Sequence, residues 1–305
     1  MTSDESPSAT AFVPGHITGF FSAHPAADSR HAGSRGAGVA LTDGVRVTVS
    51  RGDGLRLNGD SVEIAAVDRV FDALGIDGGV DAETPLPLGT GFGVSGALAL
   101  GTALAANAVF DCGRTENELV TLAHCADVDA GTGLGDVVAQ ARGGLPIRLE
   151  PGAPGIGELD AIVDAPRIEY CTFGELSTEA VLSGDTDRLS AAGERALDRL
   201  LTEPTVDRFM TVSSEFADEA GLLTPAVADA IAAVEASGGR AAMAMLGRTV
   251  FATGRSLSAA GFEPHVCGVD FAGGRLNRVV DADGTCSLAA GEPTESVRRE
   301  PAGRK

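Results

Sequence analysis

The order of elements in this chain predicts an α+β fold, and three observations lead there. Strands and a helix come before the longest glycine-rich loop. That loop, residues 85–97, runs directly into a helix that is apolar on every side. A turn-rich linker at 151–155 then separates this part from a run of helices. Repeated strand–helix–strand units, which would make a parallel sheet, do not fit this order. The 305 residues suit one large or two modest domains.

Residues 1–10 are small and polar and are expected to be disordered. Phe12-Val13-Pro14-Gly15-His16-Ile17-Thr18-Gly19-Phe20-Phe21 follows. His16 and His24 are read either as substrate contacts or as loop or half-buried histidines. Gly33-Ser34-Arg35-Gly36-Ala37-Gly38 reads as a glycine-rich turn. Val45, Val47 and Val49 alternate with polar residues, the period of a strand. Arg51-Gly52-Asp53-Gly54 reads as a hairpin turn, with Leu55 and Leu57 on the returning strand and Asn58-Gly59 at its end. Asp60 with Glu63 resembles a capping box. Val67, Val70, Phe71 and Leu74 then share a helix face that stops at Gly75. This helix is assigned to packing alone.

Pro85-Leu86-Pro87-Leu88-Gly89-Thr90-Gly91-Phe92-Gly93-Val94-Ser95-Gly96-Ala97 organises the chain. Glycines let backbone approach a ligand and take positive φ. The helix start offers unpaired N–H groups and the positive end of a macrodipole. Together they make an anion site suited to a phosphate. Gly91-Phe92-Gly93-Val94-Ser95-Gly96 also spells the dinucleotide-binding pattern, which requires a buried strand just before it. Pro85 and Pro87 argue against a central parallel strand there. A tight loop without a ligand is the other alternative.

Thr115-Glu116-Asn117-Glu118 is a capping box, and Leu119, Leu122, Ala123 and Ala126 share a face of the helix it starts. Asp127 stands near that helix's end. Gly131, Gly133 and Gly135 lead to Asp136, nine residues after Asp127. Beside a phosphate site, one acid can hold a metal ion and another can orient a hydroxyl. Asp129 competes for the metal role, and each acid can instead belong to a solvated surface. Arg148 should point opposite to Ile147 and Leu149. Its planar guanidinium suits a carboxylate, the alternative being a surface ion pair.

Beyond the linker, residues 162–173 contain a strand. Leu189, Leu197, Leu200 and Leu201 mark one helix face, and Phe209, Val212 and Phe216 the next. Thr224-Pro225 starts a third helix, with Val227, Ile231 and Val234 inward and Gly238-Gly239 closing it. Met245-Leu246-Gly247 reads as a ligand-contacting loop or as a core strand and turn. Asp283-Gly284 is a hairpin turn, and residues 291–305 form a flexible tail.

Pro87, Gly91, Phe92, Gly93, Ser95, Gly96 and Ala97 resemble the phosphate-binding motif of the GHMP kinases, which include galactose, homoserine and mevalonate kinases. Val94 stands where that family often has the first of two serines. Phe12–Phe21 resembles the family's first motif. Met245-Leu246-Gly247 resembles its third, a loop that packs on the phosphate loop. The opening motif, Gly133-Leu134-Gly135-Asp136, Gly143-Gly144 and Arg148 resemble most closely the pantoate kinases of archaea.

The resemblance implies the two-domain α+β GHMP kinase fold, with nucleotide bound between an N-terminal domain, 11–160, and a C-terminal domain, 161–290. It implies ATP-dependent phosphorylation of (R)-pantoate to (R)-4-phosphopantoate on the archaeal route to coenzyme A. By the same resemblance Pro87, Gly89, Gly91, Gly93, Ser95, Gly96 and Ala97 hold ATP, and Ser95 and Asp127 hold Mg2+. Asp136 orients the acceptor hydroxyl and takes its proton, while Arg148 and His16 bind pantoate. The family's magnesium acid is usually glutamate, so the shorter Asp127 requires its helix to stand closer to the metal. A sister kinase for homoserine or mevalonate, and a non-catalytic nucleotide-binding module, share the loop and stay open.

Composition limits the partners. The net charge is −20, with Lys305 the single lysine. Nucleic acid is excluded, because it wants a basic face. The acids read as a solvated shell of the halophilic type, whose self-repulsion salt would screen. No apolar run reaches a membrane span and the N-terminus is unlike a secretory signal, so a cytoplasmic protein without a membrane partner is expected. The five cysteines, 112, 125, 171, 267 and 286, show no metal spacing and read as reduced thiols. Oligomeric state is open, with a homodimer among the options.

Overall fold

Two long antiparallel strands carry the first sheet. β1 (Ser8–His24) and β2 (Gly33–Ser50) pair over most of their length. The computed structural model describes residues 7–174, 186–281 and 285–288. The expectations for residues 1–6, for Asp283-Gly284 and for 291–305 lie outside the described residues. Residues 8–10, expected to be disordered, open β1, because both of its edges are filled there. Ser8–Thr10 pair with Thr48–Ser50 on one side and with Arg278–Val280 on the other.

Gly33–Gly38, expected as a turn, runs as strand. Its small residues serve close approach instead: a Cβ on Gly38 would stand 2.3 Å from His16 Nε2. β1 carries register shifts at Pro14/His16 and Thr18/Phe20. In antiparallel pairs, directly opposed residues share a face. His16 opposes Ala40, Thr18 opposes Gly38, and Phe21, beyond the second shift, opposes Gly36. The shift therefore puts His16, Thr18 and Phe21 on one face, across from a track of small residues.

β3 (Leu55–Leu57), β4 (Asp60–Ser61), β5 (Gly79–Glu83), β12 (Arg275–Val280) and β13 (Cys286–Leu288) complete the order β13-β12-β1-β2-β5-β3-β4. β6 (Leu145–Glu150) joins β2 lower down, and β7 (Glu158–Ile162) joins β6. Leu55 and Leu57 do not return alongside β2. β5 takes that place, and β3 lies outside it in parallel. Asn58 and Gly59 both have positive φ, 52° and 89°, as a tight β3–β4 hairpin requires. Asp60 is spent in that hairpin, so α1 (Ala65–Leu74) starts at Ile64 with no side-chain cap. A strand, β5, does precede the phosphate loop, but it ends before both prolines. It runs antiparallel to β2, and β6, the next strand, does not pair with it, so no dinucleotide-type unit forms.

α2 (Val94–Val109) lies on β1 and β2 and buries most of its surface. α3 (Glu116–Asp129) carries the predicted capping box, with Thr115 accepting from the Glu118 amide. α4 (Asp136–Arg142) packs against α2, α3 and β1.

The second sheet is wholly antiparallel, in the order β11 (His265–Cys267), β8 (Ile168–Thr172), β10 (Thr249–Thr253), β9 (Ala241–Ala244). α5 (Thr186–Thr202), α6 (Val206–Glu219) and α7 (Pro225–Ala236) bury the predicted faces, except that Leu201 is exposed, one residue off the stripe of Leu197 and Leu200. The boundary expected at residue 160 falls inside β7. Residues 275–280 and 286–288 join the first sheet, where β12 fills the free edge of β1. All five cysteines are free. No helix among the described residues is long and apolar enough to cross a membrane.

Candidate active site

The phosphate loop is held from several sides. The His16 amide donates to Phe92 O at 2.9 Å, and Thr249 Oγ1 donates to Thr90 O at 2.8 Å. Gln140 Nε2 donates to Gly93 O at 2.9 Å. Gly247 lies so close behind the loop that a Cβ there would come within 1.9 Å of Thr90 O. Met245-Leu246-Gly247 therefore both packs on the loop and, through Met245 and Leu246, reaches the cavity wall. Gly93 is the N-cap of α2 with φ 62°, and an added Cβ would press on the Asp136 carboxyl at 3.2 Å. Only glycine meets both demands.

Helix geometry leaves the amides of Val94, Ser95 and Gly96 without intrahelical partners. Ala97 differs: its amide donates to Gly93 O at 3.0 Å and the residue is buried. It is thus corrected from phosphate ligand to first bonded residue of the helix. Pro87 is also off the cavity wall, its carbonyl accepting from Thr90 Oγ1 at 2.8 Å.

Above the loop opens a cavity of about 460 Å³, large enough for a small organic ligand. Gly89, Gly91, Gly93, Ser95, Gly96, Asp136 and Arg148 line it, as the sequence predicts. Glu63, Ile64 and Ala65 line it too, although the sequence assigns their helix only to packing. Thr18, Ser34 and Thr132 are further wall residues that sequence reasoning missed. Single hydroxyl residues carry no periodic signal. Only the place of Thr18, two positions after His16 in the opening motif, could have pointed to it.

The two predicted acids come together beneath the cavity. Ser95 Oγ donates to Thr132 Oγ1 at 3.1 Å, and Thr132 Oγ1 donates to Asp127 Oδ1 at 2.6 Å. Asp127 is buried, and burial, aided by the Asp136 charge, pushes its carboxyl up to about 7 against the hydrogen bonds from Thr132 and Ser95. A cation beside it would favour the ionised form. Ser95, Thr132 and Asp127 thus offer a hard oxygen set that fits magnesium, an ion usually shared between a carboxylate and substrate phosphates. Asp129 is exposed and bonds Ser29, so it does not compete.

Asp136 starts α4 with its side chain about one-fifth exposed. Burial pushes its carboxyl up, but bonds from His16 and Thr18 and the Arg148 charge outweigh this and hold it below its ordinary value. Arg148 is 2 % exposed, and its Nε and Nη1 find no acceptor among the described residues. Burial pushes its pKa down while Asp136 opposes this, and a guanidinium stays charged at neutral pH regardless. A buried cation with unmet donors on a cavity wall calls for an anionic ligand. His16 is completely buried and off the wall, with Nδ1 2.7 Å from Asp136 Oδ1. It stands behind Asp136 because Gly38 leaves room for its ring there, and Asp136 lies between it and the cavity. His24 bonds Ser22 and Glu194, also off the wall.

Residues 62–144 match the family model described as the GHMP kinases N terminal domain. Over 248 residues the chain is 35% identical to the pantoate kinase of Methanocaldococcus jannaschii, covering 79% of this chain and 90% of that one. It is 37% identical over 231 residues to the pantoate kinase of Thermococcus kodakarensis, covering 70% and 76%. A solved structure titled as a phosphotransferase related to the CoA biosynthesis pathway superposes with a TM-score of 0.79 at 30% identity, covering 88% of this chain and 98% of that one. The chain belongs to the pantoate kinases, within the GHMP kinase superfamily.

Proposed function

We propose that this enzyme transfers the γ-phosphoryl group of ATP to the primary hydroxyl of (R)-pantoate, giving (R)-4-phosphopantoate and ADP on the route to coenzyme A. The observation that carries the reading is Arg148, a buried guanidinium with unmet donors beside Asp136 on the cavity wall. It suits an acceptor with a carboxylate at one end and an alcohol at the other. Pantoate has both.

The amides of Val94, Ser95 and Gly96 and the loop glycines would cradle the triphosphate. Ser95, Thr132 and Asp127 would hold magnesium, which when bound neutralises charge on the transferring phosphoryl group. The pantoate alcohol oxygen forms the new P–O bond as the bond from γ-phosphorus to the ADP oxygen breaks, and the alcohol proton passes to Asp136. A carboxylate held below its ordinary value is a weak base. It therefore orients the hydroxyl first and takes the proton late, once the attacking oxygen has become acidic. Most of the rate then comes from position and charge. The strong negative charge fits work in a salt-rich archaeal cytoplasm.

A panel of pantoate, homoserine and mevalonate with labelled ATP tests the reading in wild type, Asp136→Asn and Arg148→Ala. Wild type should favour pantoate. Asp136→Asn should lose at least ~10²-fold in kcat with ATP still bound. Arg148→Ala should raise the KM for pantoate far more than that for ATP. Equal turnover of all three acceptors, or equal damage to both KM values, would refute it.

A further inference from the structure

Behind the Asp136 carboxylate stands a residue with no surface on the cavity. His16 Nδ1 lies 2.7 Å from Asp136 Oδ1, and Thr18 Oγ1 donates to the same oxygen at 3.3 Å. Both residues sit on one face of β1, set there by the register shifts on either side of them. His16 has no exposed surface, and its Nε2 has no hydrogen-bond partner among the described residues. The ring is confined by Gly38, where even a methyl group would collide with Nε2. Burial, with Arg148 nearby, pushes the imidazole below its ordinary pKa despite Asp136. A neutral imidazole facing a carboxylate must carry its proton on Nδ1 to donate, which leaves Nε2 as the bare nitrogen.

We infer that His16 is a positioning residue for the phosphoryl-transfer step: together with Thr18 it ties up Oδ1 of Asp136 and so presents Oδ2 alone to the acceptor hydroxyl. This inference rests on the role given to Asp136 above. It has two consequences. The carboxylate is fixed in one rotamer before substrate arrives, as an orienting group requires. It also stays ionised although only about one-fifth exposed, because a hydrogen bond to the charged form lowers an acid's pKa. The other charged group facing the pair is Arg148 on β6, which helps keep Asp136 ionised; Asp127 on α3 has its own carboxyl raised by the Asp136 charge and is protonated where Asp136 titrates. His16 keeps its proton throughout.

The test compares His16→Leu, His16→Asn and Thr18→Val by the pH dependence of kcat/KM for pantoate at saturating ATP. Wild type should show no acidic fall assignable to Asp136 above about pH 4. His16→Leu removes the donor and leaves the burial, so an acidic limb should appear at least ~1 unit higher. Its kcat should drop ~10²-fold, with the KM for ATP changed less than about twofold. An asparagine amide can occupy the Nδ1 position, so His16→Asn should keep the limb low and recover much of the rate. Thr18→Val should move the limb in the same direction by less. A packing role alone would lower rate or stability without moving the limb.

An unmoved limb in folded His16→Leu overturns the inference, as does an asparagine variant no better than leucine. If the leucine variant does not fold, the other two decide: a limb that rises in His16→Asn, or stays put in Thr18→Val, overturns it. Asp136→Asn run alongside separates the two claims. If that variant keeps its rate, the role of Asp136 fails; if it is inactive while the His16 series is flat, only the positioning role fails.

Discussion

Asp127 shows how much one buried carboxyl can shape the unliganded enzyme. Its pKa is raised to about 7 in the fold from an ordinary 3.8, chiefly by burial. Between those values the folded protein keeps the proton and the unfolded chain has lost it. The contribution to stability therefore falls as pH rises across that window, and levels off above it. At about 1.4 kcal/mol per unit the whole effect is roughly 4 kcal/mol. Asp127→Asn should remove this slope. Urea unfolding of both proteins in metal-free buffer from pH 4 to 8 should show the stability gap moving in favour of the variant up to about pH 7; a gap independent of pH would be contrary to it. Ser95, Asp127, Asp136 and Arg148 were legible in the sequence because glycines and a helix start frame them. His16 was legible as a site residue but not in its role, since a register shift and the space at Gly38 decide which way its ring points. Thr132, which bridges Ser95 to Asp127, left no trace in the pattern.

Among the elements, the phosphate loop is the one most shaped by parts distant in sequence. Gly247, on the turn between β9 and β10, touches Thr90 and Gly91, and Thr249 bonds Thr90 O. Gly247→Ala would force a methyl group to within 1.9 Å of a backbone oxygen, and backbone cannot swing away as a side chain can. Overpacking of this kind costs ~1–3 kcal/mol. If it falls on nucleotide binding, the KM for ATP should rise roughly ten- to a hundredfold, with the KM for pantoate much less affected. Steady-state kinetics with each substrate varied would check this, and equal changes in both would show that the loop was not the part displaced. The helices were the legible elements: α1, α3, α6 and α7 match their apolar faces, and α3 its capping box. β2 was not, because Gly33–Gly38 has the composition of a turn. Its glycines admit the side chains of β1, a demand set by the partner strand.

At the scale of the whole molecule, the net charge of −20 sets the solution behaviour. Several arginines are engaged at the surface, as in the Arg195–Glu219 and Arg199–Glu215 pairs, and acidic residues outnumber basic ones by 43 to 23. Self-repulsion at this charge is screened as salt rises, the Debye length shrinking from ~10 Å at 0.1 M to ~3 Å at 1 M. The enzyme should lose structure in dilute buffer and recover in molar salt, followed by circular dichroism and melting temperature. Full activity with an unchanged melting temperature at low salt would remove this reading. The α+β class was visible in the order of elements, whereas the turn at 151–155, read as a linker, joins the paired strands β6 and β7 of one sheet. The sheet membership of β7 and β12 was not, since short strands do not announce their partners.

The docking of β12 on β1 also has a consequence for how the protein is made. β1 leaves the ribosome well before residues 275–280, with which one of its edges pairs. That edge must wait, with its amides and carbonyls unmatched, until residues 275–280 have been translated. A growing chain with an open strand edge is a template for mispairing with its neighbours, so chaperone demand during synthesis should centre on β1.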